Sequence, residues 1–275
     1  MKMVLFSRKK LRQPFARIPD LVTIMYANNE IGSIQPIAEN RVQSVRKRDL
    51  ISTQMLYRQR LDIFQINVKE QNIDMMSASA HKFHGPKGVG FLYARKGILL
   101  SNIIEGGAQE RGKRAGTENI PAIVGMAATL KDVLAHQEEN AAKMTALRDR
   151  LIDGLLTIPH SKLNGDRTKR LPGNVNFCFE GIEGESLLLM LDMKGIAASS
   201  GSACTSGSLD PSHVLLAIGL PHEVAHGSLR LSLSEYNTQE EVDYVLEELP
   251  KIVTYLRNMS PVWDELQRGE QKHVI

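Results

Sequence analysis

The sequence has little of what marks several classes of protein. Its 275 residues include two cysteines and a net charge of only +3. Two cysteines give neither a disulfide framework nor a zinc-finger spacing, and so small a charge does not predict nucleic acid as a partner. No apolar run approaches the roughly 18 residues of a membrane span. The apolar run in the N-terminal MKMVLFSRKK is too short for a signal peptide. We therefore expect a globular protein of the reducing cytoplasm, without a membrane partner.

What the sequence does contain is an α/β pattern followed by a smaller α+β pattern. The apolar run 21–27 predicts a buried strand of a parallel sheet, and 89–95 predicts a second strand. A helical pattern runs over 121–156 and begins at a proline. Its predicted apolar face comprises Ile123, Ala127, Leu130, Leu134, Leu147, Leu151 and Leu155. We expect two domains, over residues 1–135 and 136–275.

The predicted strands of the second domain alternate between apolar and polar residues, whereas the first predicted strand is an apolar run. Segments 174–180 and 228–234 alternate in polarity, which predicts strands with one buried face. A helix is predicted between them over 185–193. A capping box at Thr238 begins a last amphipathic helix, in which Pro250 should cause a break or a kink.

The segment 77–90, SASAHKFHGPKGVG, places a lysine among small residues. Lys82 could form a Schiff base with a carbonyl, and its small neighbours would leave room for a planar cofactor. Ser77, Ser79 and His81 could hydrogen-bond an anionic group, while the glycines permit tight turns. An exposed loop with no catalytic role is the alternative.

Three further features could carry chemistry. Cys204 lies in the Ser/Gly-rich stretch 197–207, as expected for an exposed thiol, whereas Cys178 lies between two phenylalanines and is predicted to be structural. The basic, glycine-containing stretch 111–118 is either a phosphate-binding loop or plain exposed surface. Arg230 lies in an otherwise apolar strand and needs an anionic partner, which would be a substrate carboxylate or a structural Asp or Glu.

Together these features resemble the cysteine desulfurases of the NifS/IscS type, which are pyridoxal-phosphate enzymes of the class V aminotransferase family. The resemblance covers residues 21–39 and 66–266. Its motifs, in the family's order, are MYANNEIGSIQPI, SASAHKFHGPKGVG, GGAQERGKRAGTEN and SSGSACTSGSLDPSHVL. It implies the PLP-dependent transferase fold type I, with an incomplete cofactor-binding large domain over 1–135. The smaller α+β domain, 136–275, would carry a mobile cysteine loop.

The resemblance also implies roles for single residues. Lys82 would be the Schiff-base lysine and later the proton carrier at the substrate's α-carbon. Ser79 and His81 would bind the phosphate of pyridoxal 5'-phosphate, and Asn29 would hydrogen-bond its ring hydroxyl. Thr117 would reach the phosphate of the partner subunit's cofactor, which implies a homodimer.

Two residues would act on the substrate itself. Arg230 would pair with the carboxylate of L-cysteine. Cys204 would attack the sulfur, giving L-alanine and a cysteine persulfide. The sulfur would then pass to an acceptor protein, such as a scaffold for iron–sulfur cluster assembly, or to another sulfur-cofactor pathway.

The sequence departs from the family pattern in two places. Only twenty residues precede Leu21, and they match neither the family's phosphate-binding threonine loop nor its ring-stacking histidine. We therefore expect an N-terminally truncated chain that lacks a large part of the cofactor-binding sheet. Residues 50–60 stand where the family has HxDAxQ, and they contain no carboxylate.

The second departure has a testable genetic explanation. One back-translation of residues 51–65, read two bases on, yields the family motif, which predicts a pair of compensating frameshifts. Two alternatives to an active desulfurase stay open at this point. One is an inactive remnant that serves at most as a protein-binding module, and the other is a related lyase acting on selenocysteine or cysteine sulfinate.

Overall fold

The computed structural model describes residues 21–36, 51–55, 66–201, 211–270 and 272–275, and it forms two compact units. The N-terminal unit contains residues 21–26, 35–36, 51–55 and 66–137, and the C-terminal unit contains 27–34, 138–201, 211–270 and 272–275. Among the described residues, no helix is both long and apolar enough to cross a membrane.

A four-stranded sheet forms the framework of the N-terminal unit. Its strands, in spatial order, are β1 (Leu21–Met25), β2 (Ile51–Met55), β3 (Met75–Ser79) and β4 (Gly90–Ala94). The first three run parallel and β4 is antiparallel to β3. Both strands predicted in this region, at 21–27 and 89–95, are confirmed, as is the parallel pairing of the first.

The helical region predicted over 121–156 is two helices rather than one. After a short helical turn, α1 (Gln109–Gly112), the chain forms α2 (Ile120–Ala135) and α3 (Gln137–Leu155), separated at His136. The predicted start is confirmed, with Pro121 in the first turn. The predicted face is confirmed in α3, where Leu147, Leu151 and Leu155 are buried. In α2 it is wrong in part: Leu130 packs against the core, but Leu134 is 49% exposed and Val133 is buried instead. Apolar residues lie on several sides of α2, so their spacing did not identify the buried side.

The C-terminal unit is built on a three-stranded antiparallel sheet with the order β5–β6–β7. These strands are Ser161–Leu163, Asn174–Phe179 and Ser228–Ser232. The prediction of one buried face is wrong for β6, all of whose residues are buried. Phe177 packs in a cluster with Leu151 and Leu249, while Cys178 packs on the other side with Leu215 and Val224.

In the described part of this unit, five helices follow β6, three before β7 and two after it. They are α4 (Gly184–Asp192), α5 (His213–Ala217), α6 (His222–His226), α7 (Gln239–Asn258) and α8 (Pro261–Gln267). The predicted α4 and the capping box of Thr238 with Glu241 are confirmed. The helix does not break at Pro250, since α7 continues to Asn258.

Candidate functional site

Lys82 lies in a short 3-10 turn, Ala80–Phe83, which links β3 toward β4. Ala80 and Phe83 are fully buried, and they anchor the turn in the core of the N-terminal unit. Lys82 is partly exposed and His81 is exposed. The turn therefore fixes the backbone of the lysine while leaving its side chain accessible to a ligand.

The small residues around Lys82 let backbone segments approach closely. A Cβ on Gly90 would lie 2.4 Å from the carbonyl oxygen of Ala78, and one on Gly85 would lie 2.8 Å from the Cβ of Ala80. The N–H of Ala80 donates to the carbonyl of Val89 at 3.0 Å. Part of the small-residue pattern thus has a packing reason that is independent of any cofactor.

Ser79, His81 and Lys82 are brought together by this turn, because β3 ends at Ser79. Ser79 is extended and its side chain makes no capping hydrogen bond to the turn. Thr117 belongs to the same unit and is exposed in the loop between α1 and α2. The backbone of that loop is held by Gln109, whose Oε1 accepts from the N–H of Gly116 at 3.1 Å.

The C-terminal unit brings Asn29 and Arg230 together. Asn28 Oδ1 accepts from the backbone N–H groups of Glu30 and the next residue at 2.9 and 3.0 Å, forming a tight turn. The carbonyl oxygen of Asn29 then accepts from Arg230 Nη1 and from Asn174 Nδ2, each at 3.4 Å. This turn therefore places Asn29 beside the arginine of β7.

Two buried amide donors adjoin this arginine. The Nδ2 atom of Asn29 has no hydrogen-bond partner among the described residues, and neither does that of Asn176. Asn176 lies directly opposite Arg230 in the register of β6 and β7. Because a buried donor without a partner costs about 1–3 kcal/mol, two of them beside a guanidinium suit a ligand with acceptor oxygens. Asn176 was not among the predicted site residues, although a polar residue inside a predicted strand was a usable signal.

Cys204 falls in residues 202–210, outside the described residues, but both flanks of that segment are described. On the N-terminal flank, Ser199 pairs with Arg230 through backbone hydrogen bonds, with the N–H of Ser199 donating at 3.1 Å. On the C-terminal flank, the Ser212 hydroxyl donates to the carboxylate of Glu30, which is only 4% exposed. The cysteine segment therefore begins beside Arg230 and ends beside the Asn29 turn. Glu30, which anchors the C-terminal flank, was not among the predicted site residues.

Cys178 is buried, as predicted for a structural residue. Its Sγ accepts a hydrogen bond from Asn164 Nδ2 at 3.2 Å. Burial raises the pKa of the Cys178 thiol to about 12, and the contact with Asn164 lowers it only in part. A thiol in this position is a poor nucleophile.

Comparisons with known proteins agree with the sequence motifs. The family model described as Aminotransferase class-V matches residues 4–245. A cysteine desulfurase IscS of Clostridium botulinum is 54% identical over 255 residues, covering 92% of this chain and 64% of the relative. A cysteine desulfurase IscS of Methanosarcina thermophila is 54% identical over 256 residues, covering 93% and 63%.

A solved structure supports the fold as well. A NifS-like protein superposes with a TM-score of 0.81 at 35% identity, covering 91% of this chain and 65% of that protein. The chain thus has the PLP-dependent transferase fold type I, and it spans slightly less than two thirds of the proteins it matches. On its motifs, its fold and the family match, the chain belongs to the class V aminotransferase family and is a homologue of the IscS and NifS cysteine desulfurases.

Proposed function

We propose that this protein is a cysteine desulfurase, which converts L-cysteine to L-alanine and transfers the sulfur to Cys204. One observation carries the proposal: Arg230, the Asn29 turn and both flanks of the Cys204 segment meet in the C-terminal unit. A carboxylate-binding arginine and a thiol are what a desulfurase needs on the substrate side. The names of the relatives point the same way.

Arg230 is proposed to bind the carboxylate of L-cysteine. A guanidinium presents donors in a planar fork that matches a carboxylate, and the partly buried strand β7 holds it in one orientation. The contact of Nη1 with the Asn29 carbonyl fixes the side chain further. Asn176, opposite Arg230, adds a buried donor whose partner would be a substrate oxygen.

The residues of each unit, taken separately, are of types that suit pyridoxal 5'-phosphate as the cofactor. Asn29 offers a buried amide donor suited to a ring oxygen, and Lys82 stands on an anchored turn with Ser79 and His81 beside it. Lys82 would hold the cofactor covalently, and Ser79 and His81 would bind its phosphate. When bound, the cofactor supplies an electron sink for charge at the substrate's α-carbon. Lys82 would then move the proton at that carbon.

Cys204 is proposed to carry out the sulfur transfer. Its thiolate forms an S–S bond with the substrate sulfur while the substrate's Cβ–S bond breaks. The electron pair of that bond stays with the substrate, which takes up protons to become L-alanine.

The remaining parts of the proposal concern partners and location. The acceptor would be a protein such as an iron–sulfur cluster scaffold. Thr117 would contact the cofactor of a second copy, and exposed apolar residues near it, Ile103 and Ile120, suit such a contact. A thiol that must stay reduced between turnovers fits the cytoplasm predicted from the sequence.

The sequence of β2 bears on the competing function. Ile51–Met55 contains no Asp or Glu, so this strand offers no carboxylate to the pyridine nitrogen of the cofactor. Such a partner strengthens the electron sink. The alternative function is therefore that of an inactive chain that only binds proteins, and the experiment must distinguish the two.

The test measures cofactor content and products on the purified chain. Wild-type protein reconstituted with pyridoxal phosphate should gain a visible absorbance that borohydride alters. With L-cysteine and an added thiol reductant, which reduces the Cys204 persulfide and releases its outer sulfur, it should form L-alanine and sulfide. Both Lys82→Ala and Cys204→Ser should lower alanine formation by at least about a hundredfold, and only Lys82→Ala should abolish the borohydride-sensitive band. Lys87→Ala, which alters an exposed lysine between this turn and β4, is the matched control and should be unaffected. A colourless wild type, or a fully active Cys204→Ser, would overturn the proposal.

A further inference from the structure

A second group of reactive side chains lies in the C-terminal unit, apart from the residues assigned above. Glu180 directly follows β6, and its carboxylate is buried. His273 Nδ1 lies 2.7 Å from Glu180 Oε2, and His160 Nδ1 lies 3.5 Å from the same oxygen. Possible ligand atoms of these three residues all lie within 4.8 Å of one another.

The carboxylate and the backbone around it are held in place by neighbours. Glu180 Oε1 accepts from the backbone N–H of Val274 at 2.7 Å. Arg257 Nε donates to the Glu180 carbonyl and Nη2 donates to the His160 carbonyl, both at 3.0 Å. These contacts leave Oε2 directed at the two imidazoles, as outer contacts do in metal sites.

The two imidazoles are also confined. Their rings stack with centroids 3.7 Å apart, and Trp263 meets both edge-on at 5.4 and 5.6 Å. His160 has a left-handed backbone with φ +51°, which is uncommon for a residue other than glycine. A strained backbone at a cluster of ligating side chains is a reason to look for a functional site there.

We propose that His160, Glu180 and His273 bind one divalent transition-metal ion, with zinc the best match. Two imidazole nitrogens and one carboxylate oxygen are a donor set that suits zinc and disfavours calcium or magnesium, which prefer oxygen ligands. One ion would replace the Nδ1 protons, and each imidazole would keep its proton on Nε2. The main-chain oxygen of Ile275, 3.0 Å from His160 Nδ1, or a water would complete four ligands.

The separations of the two His–Glu pairs are close to those that zinc requires, and the stacked imidazoles must turn so that both Nδ1 lone pairs point at the ion. Bonds of about 2.0–2.2 Å place neighbouring tetrahedral ligands roughly 3.3–3.6 Å apart. The pair of His160 and Glu180, at 3.5 Å, already meets this, and the pair of His273 and Glu180, at 2.7 Å, must open by less than about 1 Å. The segment 272–275 carries His273, so a bound ion would clamp this segment to the end of β6. The site is therefore structural and separate from the residues proposed for desulfuration.

The experiment titrates Zn²⁺ into the full chain after chelator treatment, in competition with a chromophoric chelator. Wild type should bind one tight equivalent, and Glu180→Gln and His273→Ala should each weaken it by at least about a hundredfold. Because Glu180 is buried, His273→Ala in the terminal segment is the variant that tests ligation without threatening the core. X-ray absorption at the zinc edge should show nitrogen and oxygen neighbours without sulfur, which excludes binding by Cys204.

Another histidine pair in the chain provides the control. His222 and His226 lie four residues apart on α6 with ring centroids at 4.7 Å, so they could bind zinc adventitiously. His222→Gln should leave the tight equivalent unchanged. Three results would overturn the proposal. Tight binding could survive in both Glu180→Gln and His273→Ala, it could disappear in His222→Gln, or wild type could show none.

Discussion

The two cysteines of this chain occupy environments that should separate their reactivity. Cys178 is fully buried and its pKa is raised to about 12 by burial, so almost none of it is thiolate near neutral pH. Cys204 lies in a Ser/Gly-rich stretch whose two flanks are held at the proposed substrate site. Burial and the raised pKa should therefore make Cys178 the slower of the two cysteines to react.

We predict that a thiol reagent modifies one cysteine quickly in the native protein and two in denaturant. The thiolate fraction of Cys178 falls about tenfold for each pH unit below its raised pKa, so the thiol is still almost fully protonated at pH 9. Raising the pH from 7 to 9 should therefore not lead to alkylation of Cys178 while the fold persists. Mass spectrometry of the labelled peptides checks the assignment. Cys204→Ser should leave no fast thiol, and rapid native labelling of Cys178 would contradict the burial argument.

At this scale the sequence identified most of the proposed site residues from their type and neighbourhood. Lys82 and Arg230 stood out because each was chemically out of place among its neighbours. Glu30 and Asn176 did not, because their roles depend on contacts with Ser212 and on the register with Arg230, far away in the sequence.

At the scale of elements, the position of Arg230 depends on how β7 begins. Gly227 immediately precedes β7, and its carbonyl accepts from the N–H of Phe179 at 2.9 Å. A Cβ at Gly227 would lie 2.2 Å from the Phe179 carbonyl oxygen, which is backbone and cannot rotate away. β6 and β7 can therefore pair at this end only if residue 227 has no side chain.

We predict that Gly227→Ala lowers the free energy of unfolding by about 1–3 kcal/mol or more, since β7 must shift to relieve the clash. Urea denaturation followed by circular dichroism measures it. Gly201→Ala is the matched control, because the nearest atom to its Cβ would be 3.7 Å away, and it should change stability by no more than about 0.5 kcal/mol. Equal stability of the two variants would contradict the packing argument.

The elements themselves were predictable to different degrees. Strand and cap signals were local, so β1, β4 and the capping box of α7 were predicted correctly. Two features were not predicted: the division between α2 and α3 at His136, and the continuation of α7 through Pro250. In both places packing overrode the local pattern. β2 is a particular case, since Ile51–Met55 forms a strand between β1 and β3 although these residues do not match the motif that the resemblance implies there.

At the scale of the whole molecule, the N-terminal unit exposes a group of large apolar side chains. Leu99 is 93% exposed and Ile103 is 97% exposed, and Ile104, Ile120 and Val124 are each at least half exposed. An apolar group of this kind marks an interaction surface more often than plain solvent-facing surface. It lies in the region of Thr117, which the family resemblance assigns to contact with a second subunit.

We predict that the protein dimerises through this surface and that Ile103→Asp weakens the dimer by at least about tenfold, because it would bury an unpaired charge. Sedimentation velocity over a range of micromolar concentrations measures the change. Met193→Asp, which alters an 80% exposed methionine on the C-terminal unit, should leave the dimer intact. A monomeric wild type, or equal effects of the two variants, would contradict the prediction.

The sequence by itself determined the family, the fold class and the residue types available for catalysis, because motifs and local periodicity are carried by neighbouring residues. It also located the missing carboxylate of β2, which is a matter of composition. Only the tertiary structure revealed that the flanks of the Cys204 segment meet Arg230 and Glu30, and that His160, Glu180 and His273 converge. The physical reason is that these contacts join residues up to about two hundred positions apart, and chain packing rather than local pattern brings them together.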